Sequence, residues 1–107
     1  DERNFEGKKL DGFNGRGKVL TGGNFKRSSL RNGDFRGAFL LGAHFEGADL
    51  SGAQFNGAQI NDLYVDEKTI VDSRTMFVGV SCNKETTDRL ASFFWRCEEA
   101  KKWMHPD

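Results

Sequence analysis

The sequence predicts an all-β solenoid, a chain wound into a narrow column whose C-terminal end is closed by an α-helix. Three observations predict it. A large apolar residue returns at every fifth position from Phe5 to Ile60, with Gly15 the one exception. Around these centres, an alanine stands two residues before (Ala38, Ala43, Ala48, Ala53, Ala58) and a glycine two residues after at most units. From Thr87 to Met104 the apolar period changes to that of an α-helix. A period held over so many units identifies a repeat architecture before any other feature is considered.

Each part of the unit has a physical role. The central residue (Phe5, Leu10, Leu20, Phe25, Leu30, Phe35, Leu40, Phe45, Leu50, Phe55, Ile60) is expected inside the column, and the small residue two before it keeps the interior narrow. Glycine two after the centre supplies a tight corner at low steric cost. Arg27, Asn32 and Asp62 take that place in three units and predict corners of a different turn type. In the first coil Lys8 and Lys18 stand where small residues belong, and Phe13 precedes Gly15 in inverted order. Phe13 is expected to fill the volume that Gly15 leaves, and the lysines to escape through the open mouth, as an irregular end unit or as a lysine-lined binding mouth.

The run Ala-Asp-Leu-Ser-Gly, Ala-Gln-Phe-Asn-Gly and its neighbours resembles the pentapeptide-repeat family over roughly residues 4–70. The resemblance implies a right-handed, quadrilateral parallel β-helix with four pentapeptides per coil, here three to four coils. Residues twenty apart then share a column: Phe5, Phe25 and Phe45; Leu10, Leu30, Leu50 and Ile70; Phe35 and Phe55 above Gly15; Leu20, Leu40 and Ile60. Phenylalanine falls on phenylalanine and aliphatic on aliphatic, a sorting that the five-residue frame does not itself demand. Residues 1–70 are expected to form the β-helix and 71–107 a C-terminal capping segment of the same domain. Within it, Val71–Cys82 is expected to cross the last coil and cover its open edge. The helix that follows is expected to lay Leu90, Phe93, Phe94, Cys97, Ala100 and Met104 on the end of the column, with Thr86 or Thr87 as its cap and Pro106 as its stop.

Composition bounds the function. Sixteen Lys/Arg balance sixteen Asp/Glu, so no polyanion or anionic membrane is an expected partner, and no apolar run is long enough to span a bilayer. The charges are uneven: residues 1–40 hold nine bases and five acids, and residues 41–67 hold five acids and no base. Cys82 and Cys97 read either as one disulfide or as two buried thiols. No Cys-x-x-Cys occurs and His44 and His105 lie far off, so no metal or other cofactor is expected. A chain that opens at Asp1 without an apolar leader reads either as a processed mature form or as a trimmed piece of a longer chain. With the candidate bridge it leans to the periplasm or an organelle lumen, such as the thylakoid lumen, over the cytoplasm.

No catalytic constellation is present. His44, Glu46 and Asp49 point outward on a convex flank, where paired acids find no cleft to shift their pKa values. The glycines punctuate corners and open no phosphate loop. The expectation is therefore a non-enzymatic interaction or scaffold module with an unidentified protein partner. Val19, Phe39 and Leu41 form an outward apolar patch, covered either by the C-terminal segment folding back or by a partner. Trp95 and Trp103 on the helix either fold over the flank of the column or make a partner or homodimer contact. The family resemblance carries an alternative, a DNA-mimicking modulator of a type II topoisomerase such as DNA gyrase.

Overall fold

The computed structural model describes residues 3–81, and these form a four-sided column. Each five-residue unit makes one side and one corner. At the corner the carbonyl of the central residue accepts from the amide three residues on, as in Phe13 N to Leu10 O (2.9 Å) and Ala43 N to Leu40 O (3.0 Å). A glycine with φ between 65° and 75° sits at the third turn position of the pentapeptide corners, from Gly7 to Gly57. The expectation for Arg27, Asn32 and Asp62 is corrected here. Their φ values are 58°, 58° and 60°, so they make the same corner as glycine. The seam above and below demands it: Arg27 N donates to Glu46 O, just as Gly7 N donates to Lys26 O.

Successive coils are joined by single parallel bridges, one per side, most of them between residues twenty apart. Four faces result, with outward columns Asn4–Asn24–His44–Tyr64 (face 1), Lys9–Ser29–Asp49–Ile70 (face 2), Asn14–Asp34–Gln54–Met76 (face 3) and Val19–Phe39–Gln59–Ser81 (face 4).

The interior repeats with the same pitch. Phe5, Phe25 and Phe45 stack with ring centroids 4.8 and 4.9 Å apart, and Phe35, Phe55 and Phe77 stack at 5.0 Å, matching the spacing of paired strands. These two columns stand on opposite walls and meet edge to face across the centre, as in Phe25 against Phe35 (5.8 Å, 89°). Edge-to-face pairs add about 0.5–1.5 kcal/mol each beyond the area they bury. Leu20, Leu30, Leu40, Leu50 and Ile60 close the other two walls, and all are buried. Phe13 does occupy the room above Gly15: a Cβ built on Gly15 would lie 3.0 Å from the Phe13 ring and 3.1 Å from that of Phe35.

The last coil departs from the expected register. Ile70 bridges Asp49 and is 50 % exposed, so Ile70 faces outward and Val71 takes the inward place above Leu50. Val71–Ser81 does not cross the column. It forms the remaining sides of the last coil, bridging Gln54 through Met76 and Gln59 through Ser81, so the solenoid runs past residue 70.

The cause is two six-residue sides, Asp66–Val71 and Asp72–Phe77. In a pentapeptide side, the corner amide donates to a main-chain carbonyl of the next coil. In the longer sides that carbonyl is consumed by its own turn, Thr69 N to Asp66 O (3.1 Å) and Thr75 N to Asp72 O (3.0 Å). The aspartate side chain replaces it. Gly47 N donates to Asp66 Oδ1 and Gly52 N to Asp72 Oδ1, each at 3.0 Å. The buried Thr69 and Thr75 hydroxyls then donate to Phe45 O and Leu50 O, each at 2.9 Å. Neither turn contains a residue of positive φ, so neither needs glycine. After them, Phe77–Ser81 returns to the pentapeptide form with Gly79 at φ 70°.

Candidate interaction surface

Face 4 alone carries apolar residues on adjacent coils. Val19 and Phe39 bridge one another, and they are 59 % and 37 % exposed. Both occupy the position just before an inward leucine, which a single-bridge side turns to solvent. Leu41, the residue after inward Leu40, is half-buried at the next corner, and its carbonyl accepts from Gly22 N (2.8 Å). The structure thus brings Val19 and Phe39 together as expected and sets Leu41 at their margin. The other large exposed apolar residue among the described residues, Ile70, lies on face 2 above Asp49. Trp95, Trp103, Cys82, Cys97 and the expected helix over 87–104 lie outside the described residues.

The remaining faces spend their charge on themselves. On face 2, Asp11 accepts from Arg31 N (3.1 Å) and from the Ser29 hydroxyl, while the Arg31 guanidinium reaches up to Asp49 (2.7 Å). That bond raises the Arg31 pKa. Burial works to raise the Asp49 pKa, but bonds from Ser51 and Arg31 outweigh it and hold the carboxyl below its ordinary value. On face 3, Arg36 grips Asp34 through two bonds of 2.9 and 2.8 Å and lowers its pKa. Arg16, one coil below, adds to that lowering, so Asp34 serves both bases rather than leaving a basic patch. Arg27 pairs with Glu6, and Arg74 with Asp72 (2.8 Å). On face 1, His44 stacks on Tyr64 (4.3 Å, 6°) with Nδ1 3.3 Å from Glu46 Oε2. Exposed pairs of this kind each contribute about 0–1 kcal/mol.

The described residues hold no cluster of three His, Cys, Asp or Glu side chains that fits a metal, and no helix long and apolar enough to cross a membrane. The arrangement offers flat faces and ends. Sequence reasoning missed the two carboxylate-capped sides, although their signal was present: Asp-x-x-Thr occurs twice, at Asp66/Thr69 and Asp72/Thr75, six residues apart.

The family model of pentapeptide repeats (8 copies) matches residues 34–62. That match agrees with the bridges twenty residues apart and the stacked inward columns. The chain carries pentapeptide repeats over those residues. A crystal structure of a pentapeptide repeat protein from the cyanobacterium Cyanothece 51142 is similar at 25 % identity and a TM-score of 0.67. The alignment covers 77 % of this chain and 54 % of that one, so the chain spans about half the length of the solved structure it matches. A pentapeptide repeat protein from the Arabidopsis thaliana thylakoid lumen aligns at 26 % identity over 82 % of this chain and 77 % of its own, with a TM-score of 0.34. One from Nostoc PCC 7120 aligns at 20 % identity over 76 % and 85 %, with a TM-score of 0.38. No curated protein matches the sequence.

Proposed function

We propose that the chain is a non-enzymatic interaction module that binds a protein partner through the Val19–Phe39 stripe of face 4, with Leu41 at its margin. The observation that carries this reading is the contrast between faces. Faces 1 to 3 carry ion pairs along and between coils, whereas face 4 sets two exposed apolar side chains side by side. Contiguous exposed apolar surface marks contact sites more often than chance. The test compares proteins captured by the wild-type chain and by Val19→Ser/Phe39→Ser, with folding checked by circular dichroism. Loss of a specific captured protein supports the reading, and an identical set overturns it.

The same proposal takes the column as right-handed and closed at its far end by the helix expected over 87–104. Trp95 and Trp103 remain candidate contacts on that helix, including for a homodimer, which gel filtration tests. A periplasmic or organelle-lumen setting would rest on a Cys82–Cys97 bridge in place of two free thiols, and a thiol titration under native oxidising conditions decides between them. The topoisomerase alternative draws less support. Four coils reach only about 15–20 Å at the strand spacing, and the outward charges cancel in pairs. Unchanged gyrase supercoiling at micromolar protein would remove it.

A further inference from the structure

Every corner amide that joins the first coil to the second, and the second to the third, donates to a main-chain carbonyl. Arg27 N to Glu46 O and Asn32 N to Ser51 O, at 2.8 Å each, are the two directly beneath Gly47 and Gly52. Between the third coil and the last one described, the six-residue sides change this. Gly47 N and Gly52 N donate to carboxylate oxygens, Asp66 Oδ1 and Asp72 Oδ1. Each oxygen also accepts within its own turn, from Lys68 N and from Arg74 N at 3.0 Å. Two consecutive corners of one seam thus hang on groups that titrate. The next corner does not: Gly57 N donates to Val78 O (2.7 Å), and Val78 N to Asn56 Oδ1 (2.9 Å).

The charged surroundings of the two carboxylates differ. Among the described residues, Asp66 lies with Glu67 and Lys68 on its own turn and with Glu46 and Arg27 at the corner below, where the Arg27 stem would meet a Cβ on Gly47 at 3.1 Å. Asp72 is gripped by Arg74 through bonds of 3.1 and 2.8 Å, and Asp49, tied to Arg31, stands on the adjoining face 2. The Arg74 bond holds the Asp72 carboxyl well below its ordinary pKa. At Asp66 burial works the other way, but the Gly47 and Lys68 amides outweigh it and lower the pKa. An opened side therefore takes up a proton that the closed side refuses, so acid favours opening. Asp11, Asp34 and Asp49 titrate as well, but the corners of their coils are already stitched by main-chain carbonyls.

We propose that Asp66–Phe77 is an acid-released latch, two sides that lift from the third coil as one unit at low pH while the seams beneath them stay closed. Such local opening leaves the rest of a fold in place when the bonds that hold one element are of a different kind from those around it.

The test measures amide hydrogen exchange of the full chain by NMR, as protection relative to the unfolded chain, at about pH 6 and about pH 2, either side of the unfolded carboxylate value. Gly47, Leu50 and Gly52 are expected to lose protection together in acid by about tenfold or more. Arg27, Leu30 and Asn32, the same places one coil below, are expected to keep theirs. Asp66→Asn/Asp72→Asn retains an acceptor oxygen at each corner and removes the charge, so its Gly47 and Gly52 amides should stay protected and stop responding to acid. Asp34→Asn, which alters a pair outside the corner bonds, leaves the response as it is in wild type. Equal loss at all six amides means that the column unfolds as a whole and overturns the proposal. So does a response at neither corner or at one without the other, or a response that survives in the double asparagine variant.

Discussion

Replacing Thr69 by valine keeps the shape of a buried side chain and removes one hydroxyl. That hydroxyl donates to Phe45 O at 2.9 Å and accepts from Asp66 N at 3.1 Å. Phe45 O keeps a second donor in Ala48 N (3.0 Å), so the larger loss falls on the Asp66 amide. Two hydrogen bonds at about 0.5–1.5 kcal/mol each give an expected cost of about 1–3 kcal/mol. A change of about 2 kcal/mol lowers the thermal midpoint of a domain this size by about 10 °C. Thr69→Ser keeps the hydroxyl and loses one methyl, at about 0.8 kcal/mol. Urea unfolding followed by circular dichroism measures both variants. If Thr69→Val lies within about 0.5 kcal/mol of wild type, or if Thr69→Ser is the worse of the two, the hydroxyl is not what secures the six-residue side.

Two further outcomes follow from the same geometry. Gly15→Ala places a Cβ 3.0 Å from the Phe13 ring and should destabilise by about 1–3 kcal/mol through overpacking. In a Phe13→Ala background the penalty should shrink to what the Phe35 ring at 3.1 Å and Leu20 at 3.3 Å still impose, and a double-mutant cycle in urea without coupling between the two sites contradicts the account of Phe13 as the filler of that space. The pKa values of Asp34, Asp49, Asp66 and Asp72 are all lowered in the folded chain. Their stabilisation is therefore complete above the unfolded carboxylate value of about 3.9 and is lost as pH falls through the lower folded values. Urea midpoints should change little through neutral pH and drop on the acid side, and Asp66→Asn/Asp72→Asn should flatten that drop; an acid limb of unchanged slope would show that these carboxylates do not carry it.

Much of the column was legible because inward positions recur without interruption from Leu20 to Ile60, and ring size alone sorts Phe25, Phe35, Phe45 and Phe55 into two columns. Val19 and Phe39 could be assigned outward for the same reason, since each precedes an inward leucine. The frame failed where a side lengthens. Val65, Val71 and Phe77 are six apart, so a fixed period carries Ile70 into the core that Val71 in fact occupies. Polar residues at corners misled in another way. Arg27 looked like a break in the pattern, yet the seam to Glu46 holds its backbone in the glycine conformation. A left-handed φ costs a residue such as arginine about 1–2 kcal/mol, which the coils on either side enforce.

The aspartate-capped sides have an implication for how such walls can vary. Because Asp66 and Asp72 satisfy their neighbours with a carboxylate, the stitch from one storey to the next no longer falls on the main chain of Glu67–Lys68 or Ser73. Arg74 keeps only the bond that its carbonyl accepts from Gln54 Nε2 (3.3 Å). Extra residues spliced between Asp66 and Thr69, or between Asp72 and Thr75, should bulge outward and leave the masonry beneath intact. A foreign loop could be grafted at either place, whereas the glycine bends elsewhere have no slack to give.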